Sequence, residues 1–195
     1  MNTIFNVVGY TAFIIICIYF INKIIRGVIY KHLYNKNNKT NGEIIEGNCI
    51  KYNANPFANK AGDCAIRAIC KIEGYSWHRA YNKLCKLGAK NCLMPNDFYN
   101  IIKFFNNQKY HIYKPLQYIS YRGFTNSELK GKFYLISDGH ICACIDNKLY
   151  DSFNSNLNVI KYVISKSVIK DKRLKEINAN EIFVKNQKFV HIDRK

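Results

Sequence analysis

The first 22 residues, MNTIFNVVGYTAFIIICIYFIN, carry no charged side chain. From Thr3 to Ile21 the stretch is dominated by Ile, Phe, Val and Tyr, and it is long enough to cross a bilayer as a helix. A soluble helix is rarely apolar on every face for that length. The basic start and small-residue cleavage site of a signal peptide are both missing, which argues against cleavage. The stretch therefore reads as a membrane anchor. Lys23, Arg26, Lys31 and His32 follow at once. By the positive-inside rule they predict a single-pass protein with its N-terminus out and its body in the cytoplasm. The continuation IIRGVIYKHLY is amphipathic and suits the headgroup layer.

Acidic residues are scarce as well: 13 Asp and Glu stand against 30 Lys and Arg, a formal net charge of +17. Such a charge attracts nucleic acid or anionic membrane. There is no Arg-rich run, no zinc-finger spacing and no RNP-like aromatic strand, which argues against nucleic acid and for a basic surface facing a membrane. No CxxC pair occurs among the eight cysteines, Cys17, Cys49, Cys64, Cys70, Cys85, Cys92, Cys142 and Cys144. Most of them read as reduced, buried small hydrophobes, and neither a metal nor a cofactor is expected. Internal repeats are absent too.

What is present divides the chain into four parts. Residues 1–34 form the anchor and a juxtamembrane helix. Residues 35–52 are polar and read as a linker. Residues 53–165 have globular patterning, and 166–195 form a basic extension. Within the globular part, Asp63 or Cys64 opens a helix that Gly74 stops; Asp63 is of a type that caps helices. Ser76 caps a second helix ending at Gly88. MPNDFYNIIKFFNN is a third, with Pro95 at its start. YHIYKP is a strand, and a short helical turn is expected near TNSELKG. KFYLISD, GHICACID and KLYDSF are strands separated by DG and DNK turn signals. NVIKYVIS is a further strand candidate. In the extension, IKDKRLKEI looks helical and EIFVKNQKFVHI strand-like. Helices first and an antiparallel sheet after them give the α+β class.

Three residues carry the chemistry. Cys64 stands at a helix N-terminus, where unpaired N–H groups and the macrodipole favour a thiolate. Its own N–H is placed to meet a developing oxyanion. His140 opens the strand HICACI, in which His140, Cys142 and Cys144 alternate with Ile141, Ala143 and Ile145; both sets are largely apolar, so both faces should be covered. If Ile145 and Lys148 flank a two-residue loop, His140 lies opposite Phe153 and Asp151 is its diagonal neighbour. Asp151 could then orient the imidazole, and Asn154 or Asn156 could do so through an amide oxygen. A helix-start Cys, a strand-start His and an acid on the paired strand form the nucleophile, base and orienter of thiol catalysis. Arg67, one turn after Cys64, suits a carboxylate partner such as Asp63 or Asp97. Trp77 and His78 read as packing and surface.

GDCAIRAICKIEGYSW followed by GHICACIDNKLYDSFNS resembles the papain-like cysteine peptidase superfamily, above all its compact bacterial, phage and viral forms. The resemblance covers about residues 55 to 156. It implies a papain-like fold, with helices packed on an antiparallel sheet, a Cys64 nucleophile, and His140 and Asp151 on the sheet. It also implies an oxyanion-binding amide just before the Cys. No Gln stands there, and Asn59 is the nearby amide. The CGSCW form is absent, since Ala61 and Ala65 occupy its first Cys and its Trp. The activity implied is cleavage of a peptide or isopeptide bond in a peptide or protein substrate. Transfer of the acyl group to an amine uses the same residues. An inactive, membrane-tethered binding module of the same fold is the alternative.

Overall fold

The structure, a computed structural model, describes residues 2–38, 41–57 and 62–183. Helix α1 spans Asn2–Asn38. Its side chains are described over residues 13–29 and 31–32, and the large apolar ones from Phe13 to Ile29 are exposed. Among the described residues no helix is long and apolar enough to cross a membrane. The run from Thr3 to Ile21 lies partly outside the described side chains.

The rest of the chain is α+β. Eight strands form one sheet: β1 (Ile44–Glu46), β2 (Cys49–Lys51), β3 (His111–Pro115), β4 (Lys132–Ser137), β5 (His140–Ile145), β6 (Lys148–Asp151), β7 (Tyr162–Ser165) and β8 (Leu174–Ile177). Their order is β1-β2-β6-β5-β4-β7-β3-β8. All pairings are antiparallel except β2 with β6. Helices α2 (Cys64–Glu73), α3 (Trp77–Asn91) and α4 (Phe98–Asn107) precede most of the sheet, and α5 (Tyr121–Thr125) follows β3.

β5 is central and covered on both faces, as its alternation predicts. Ile141 and Ala143 pack with Ile66 and Ile69 of α2 and Ile102 and Phe105 of α4. Cys142 and Cys144 pack with Tyr121 and Phe124 of α5. Each large apolar side chain buried in these layers contributes about 1.5–3 kcal/mol. All eight cysteines are free thiols; Cys49, Cys70, Cys142 and Cys144 are buried.

The helix starts follow their local signals, with three differences. α2 begins at Cys64 and Gly74 ends it at φ 67°. The Asp63 side chain makes no cap bond, because other donors hold it. Ser76 caps α3, but the helix runs through Gly88 to Asn91. Gly88 is there for packing: a Cβ on it would lie 2.4 Å from the Leu93 carbonyl oxygen. α4 begins at Phe98, beyond Pro95, because Asp97 Oδ1 accepts from the Tyr99 and Asn100 N–H groups.

Four expectations from the sequence fall elsewhere. The short helix lies at Tyr121–Thr125, ahead of TNSELKG, where Ser120 caps it. β1 and β2 form inside the stretch read as a linker. Leu174–Ile177, within the segment read as helical, is an edge strand, because β3 offers it an unpaired edge. The sheet therefore reaches beyond residues 53–165. Residues 184–195, most of the strand-like tail, lie outside the described residues.

Candidate active site

The site forms where α2 begins, β5 begins and β6 ends. The β5–β6 hairpin has the expected register: Ile145 pairs with Lys148, Cys144 with Leu149 and Ala143 with Tyr150. Asp146 and Asn147 make the turn with φ of 46° and 66°, a left-handed conformation that Asp and Asn tolerate. That register brings Asp151 to His140. His140 Nε2 and Asp151 Oδ2 are 2.5 Å apart, with side chains 11% and 2% exposed. Asp151 Oδ1 accepts from the Ser152 N–H at 2.7 Å. The Phe153 ring lies 4.8 Å from that of His140 and covers it. Asn154 and Asn156 are engaged elsewhere: both amides donate to Glu46.

With Nε2 turned to Asp151, Nδ1 is the His140 nitrogen left for Cys64. Burial pushes the Cys64 thiol up, but hydrogen bonding and charge from His140 oppose it. The Ile141 N–H and Arg67 add to them, and the thiol sits below its ordinary value. Burial pulls His140 down, while Asp151 and then Cys64 pull it up harder, to about 9. Each group favours the charged form of the other. Cys49, Cys70, Cys142 and Cys144 all move the other way, chiefly through burial.

A second cluster fixes the start of α2. Asp63 is 3% exposed and Arg67 7%. Asp63 Oδ1 pairs with Arg67 Nη1. Asp63 Oδ2 accepts from Trp77 Nε1 at 2.8 Å and from Asn55 Nδ2 at 2.8 Å. Trp77, read from the sequence as packing, is also a donor to this carboxylate. Of the two carboxylates the sequence offers Arg67, Asp63 and Asp97, the structure pairs it with Asp63, and Asn55 and Trp77 arrive only through tertiary folding.

An open cavity of ≈ 420 Å³ lies beside Cys64 and His140. Phe98, Ile101, Ile136 and Tyr162 give it apolar walls, and Asn96, Asp138 and Lys161 supply polar groups. Asn96, an amide with no sequence signal to mark it, thus shares the cavity with Cys64. Asn59, the amide implied for the oxyanion, lies outside the described residues. Among the described residues no group of His, Cys, Asp and Glu is arranged to hold a metal ion.

This constellation can support a thiolate beside an imidazolium, next to space for a substrate side chain. No protein-family model, curated protein or solved structure matches the chain.

Proposed function

We propose that this chain is a membrane-anchored cysteine peptidase or amidase with a papain-like fold. The observation that carries the reading is the meeting of Cys64, His140 and Asp151 at one end of the sheet, with the thiol shifted down and the imidazole up. The Cys64 thiolate attacks the carbonyl of a peptide or isopeptide bond. The Cys64 N–H, at the open N-terminus of α2, donates to the oxyanion. His140 gives its proton to the leaving amine, then takes one from the water that hydrolyses the thioester. Asp151 holds the ring and the imidazolium charge.

The anchor reading draws on the uncharged run from Thr3 to Ile21 and on the exposed apolar side chains of α1, which water would not leave uncovered. The basic residues that follow put the catalytic body in the cytoplasm.

The test is labelling of the full chain, in lipid vesicles, with a peptidyl vinyl sulfone. Cys64 should label well ahead of Cys85 and Cys92, and Cys64→Ala should remove both labelling and peptide hydrolysis. Equal labelling of the three thiols would refute the nucleophile assignment.

A further inference from the structure

α3 carries a charged surface that catalysis does not use. Its sequence, WHRAYNKLCKLGAKN, contains no Asp or Glu. Ala80, Leu84 and Gly88 face the core. Arg79, Lys83, Lys86 and Lys90 follow helical spacing and fall within about 60° of one another around the axis, away from that face. α4, FYNIIKFFNN, has no acid either and adds Lys103. The Tyr75 ring lies under Arg79 and Lys83, at 4.3 and 5.3 Å, and holds the start of the stripe in place. Between the two helices lies an open depression of ≈ 230 Å³. Lys83 and Lys86 flank it, and Asn107 and Gln108 bring amides to it.

Some cations elsewhere in the body meet carboxylates: Arg122 meets Glu46, Lys161 meets Asp138, Lys166 meets Glu73 and Arg173 meets Asp171. None of the ion pairs among the described residues involves Arg79, Lys83, Lys86 or Lys90. A row of like charges at helical spacing repels itself and raises the local concentration of anions beside it.

We propose that this α3 stripe docks on an anionic phospholipid surface, with a lipid headgroup seated in the α3–α4 depression. The choice of anion rests on the membrane reading above and not on the catalytic one. Polyanionic headgroups match the charge of the stripe, and each basic side chain near such a leaflet adds about fivefold to binding. Docking of this kind would fix how the body sits on the membrane, a constraint that a single helical tether leaves open.

The experiment uses the full chain with vesicles of phosphatidylcholine, alone or mixed with phosphatidylserine. Acetylation of individual lysines is followed by mass spectrometry. Lys86 and Lys90 should react at least about fivefold more slowly on the mixed vesicles, and high salt should restore them. Lys114 and Lys175, paired across β3 and β8, should not change. Equal reactivity on both lipids overturns the proposal, as does protection of the β3–β8 edge instead. Equal protection by a soluble phosphate ester without vesicles, or by duplex DNA, also overturns it. Failure to float with phosphatidylcholine counts against the anchor alone. Serine-lipid-dependent protection of Lys86 and Lys90 would still support the stripe in that case.

Discussion

The two ends of α2 make the same polar device and put it to different uses. At the first end, Asp63 receives Arg67, Trp77 and Asn55. At the last, Glu73 receives the hydroxyls of Tyr110 and Tyr134 and the ammonium of Lys166. A carboxylate at a helix C-terminus opposes the macrodipole, so Glu73 depends on those donors. Only the first end adds a partly exposed thiol and a base. Cys64 and Cys70 share the helix, yet burial lifts Cys70 to about 12 while His140 and its neighbours bring Cys64 down. Thiol acidity here follows position and partner, not residue type.

His140→Ala should erase that difference most completely. Burial would then dominate Cys64 as it dominates Cys70. Alkylation of Cys64 at mildly acidic pH, and any turnover, should fall by about 10²–10⁴-fold. In the wild type, turnover should decline as pH rises through about 9, where His140 loses the proton that the leaving amine needs. An alkylation rate in His140→Ala close to wild type would show that the helix start alone sets the thiol.

Asp63→Ala should come next, through stability. It strands Arg67, whose side chain is 9% exposed, without its partner. Breaking such a buried pair costs about 3–5 kcal/mol. Trp77→Phe removes one donor and keeps the packing, so a smaller loss of about 1.5–3 kcal/mol is expected. Urea titration measures both. If Asp63→Ala proves no worse than Trp77→Phe, the ion pair is not the centre of the cluster.

Asp151→Asn keeps an acceptor for the imidazole and removes the charge. His140 should drop from about 9 toward its ordinary value of 6.5. Turnover should fall by about ten- to a hundredfold, the worth of a charge-assisted hydrogen bond. The alkaline limb of the pH profile should move to lower pH with it. A fall in rate with the limb unmoved would make Asp151 a packing residue.

Much of this geometry was legible because it is local. Asp146-Asn147 sets the hairpin, the hairpin sets the register, and the register carries Asp151 and Phe153 to His140. Gly74 and Ser76 bound their helices in the same way. What was not legible depends on distant chain. Gly88 carries the signal of a helix stop, yet it serves the packing of the Leu93 turn. KDKRLKEI has helical charge spacing, but the open edge of β3 makes Leu174–Ile177 a strand. β1 and β2, at three residues each, are too short to announce themselves. The Asp63 cluster closes only when Asn55 and Trp77 return to it from either side of α2.

Glu73→Gln is the mildest change and isolates the far end. Burial pushes the Glu73 carboxyl up, but Tyr110, Lys166 and Tyr134 outweigh it and hold it below its ordinary 4.5. A carboxylate that binds its proton more weakly folded than unfolded stabilises the fold above 4.5. That contribution drains away as pH falls through the lowered value. Gln keeps one acceptor oxygen for the tyrosine hydroxyls but loses the charge and the acceptor for the exposed Lys166, so the cost near neutrality should be about 1 kcal/mol. In a chain of this size that is about 2–4 °C in Tm. The gap between wild type and Glu73→Gln should close in acid, and Cys64 labelling should not change. A slowed Cys64 would mean that the two ends of α2 are coupled, and that the far cluster serves the thiol as well as the fold.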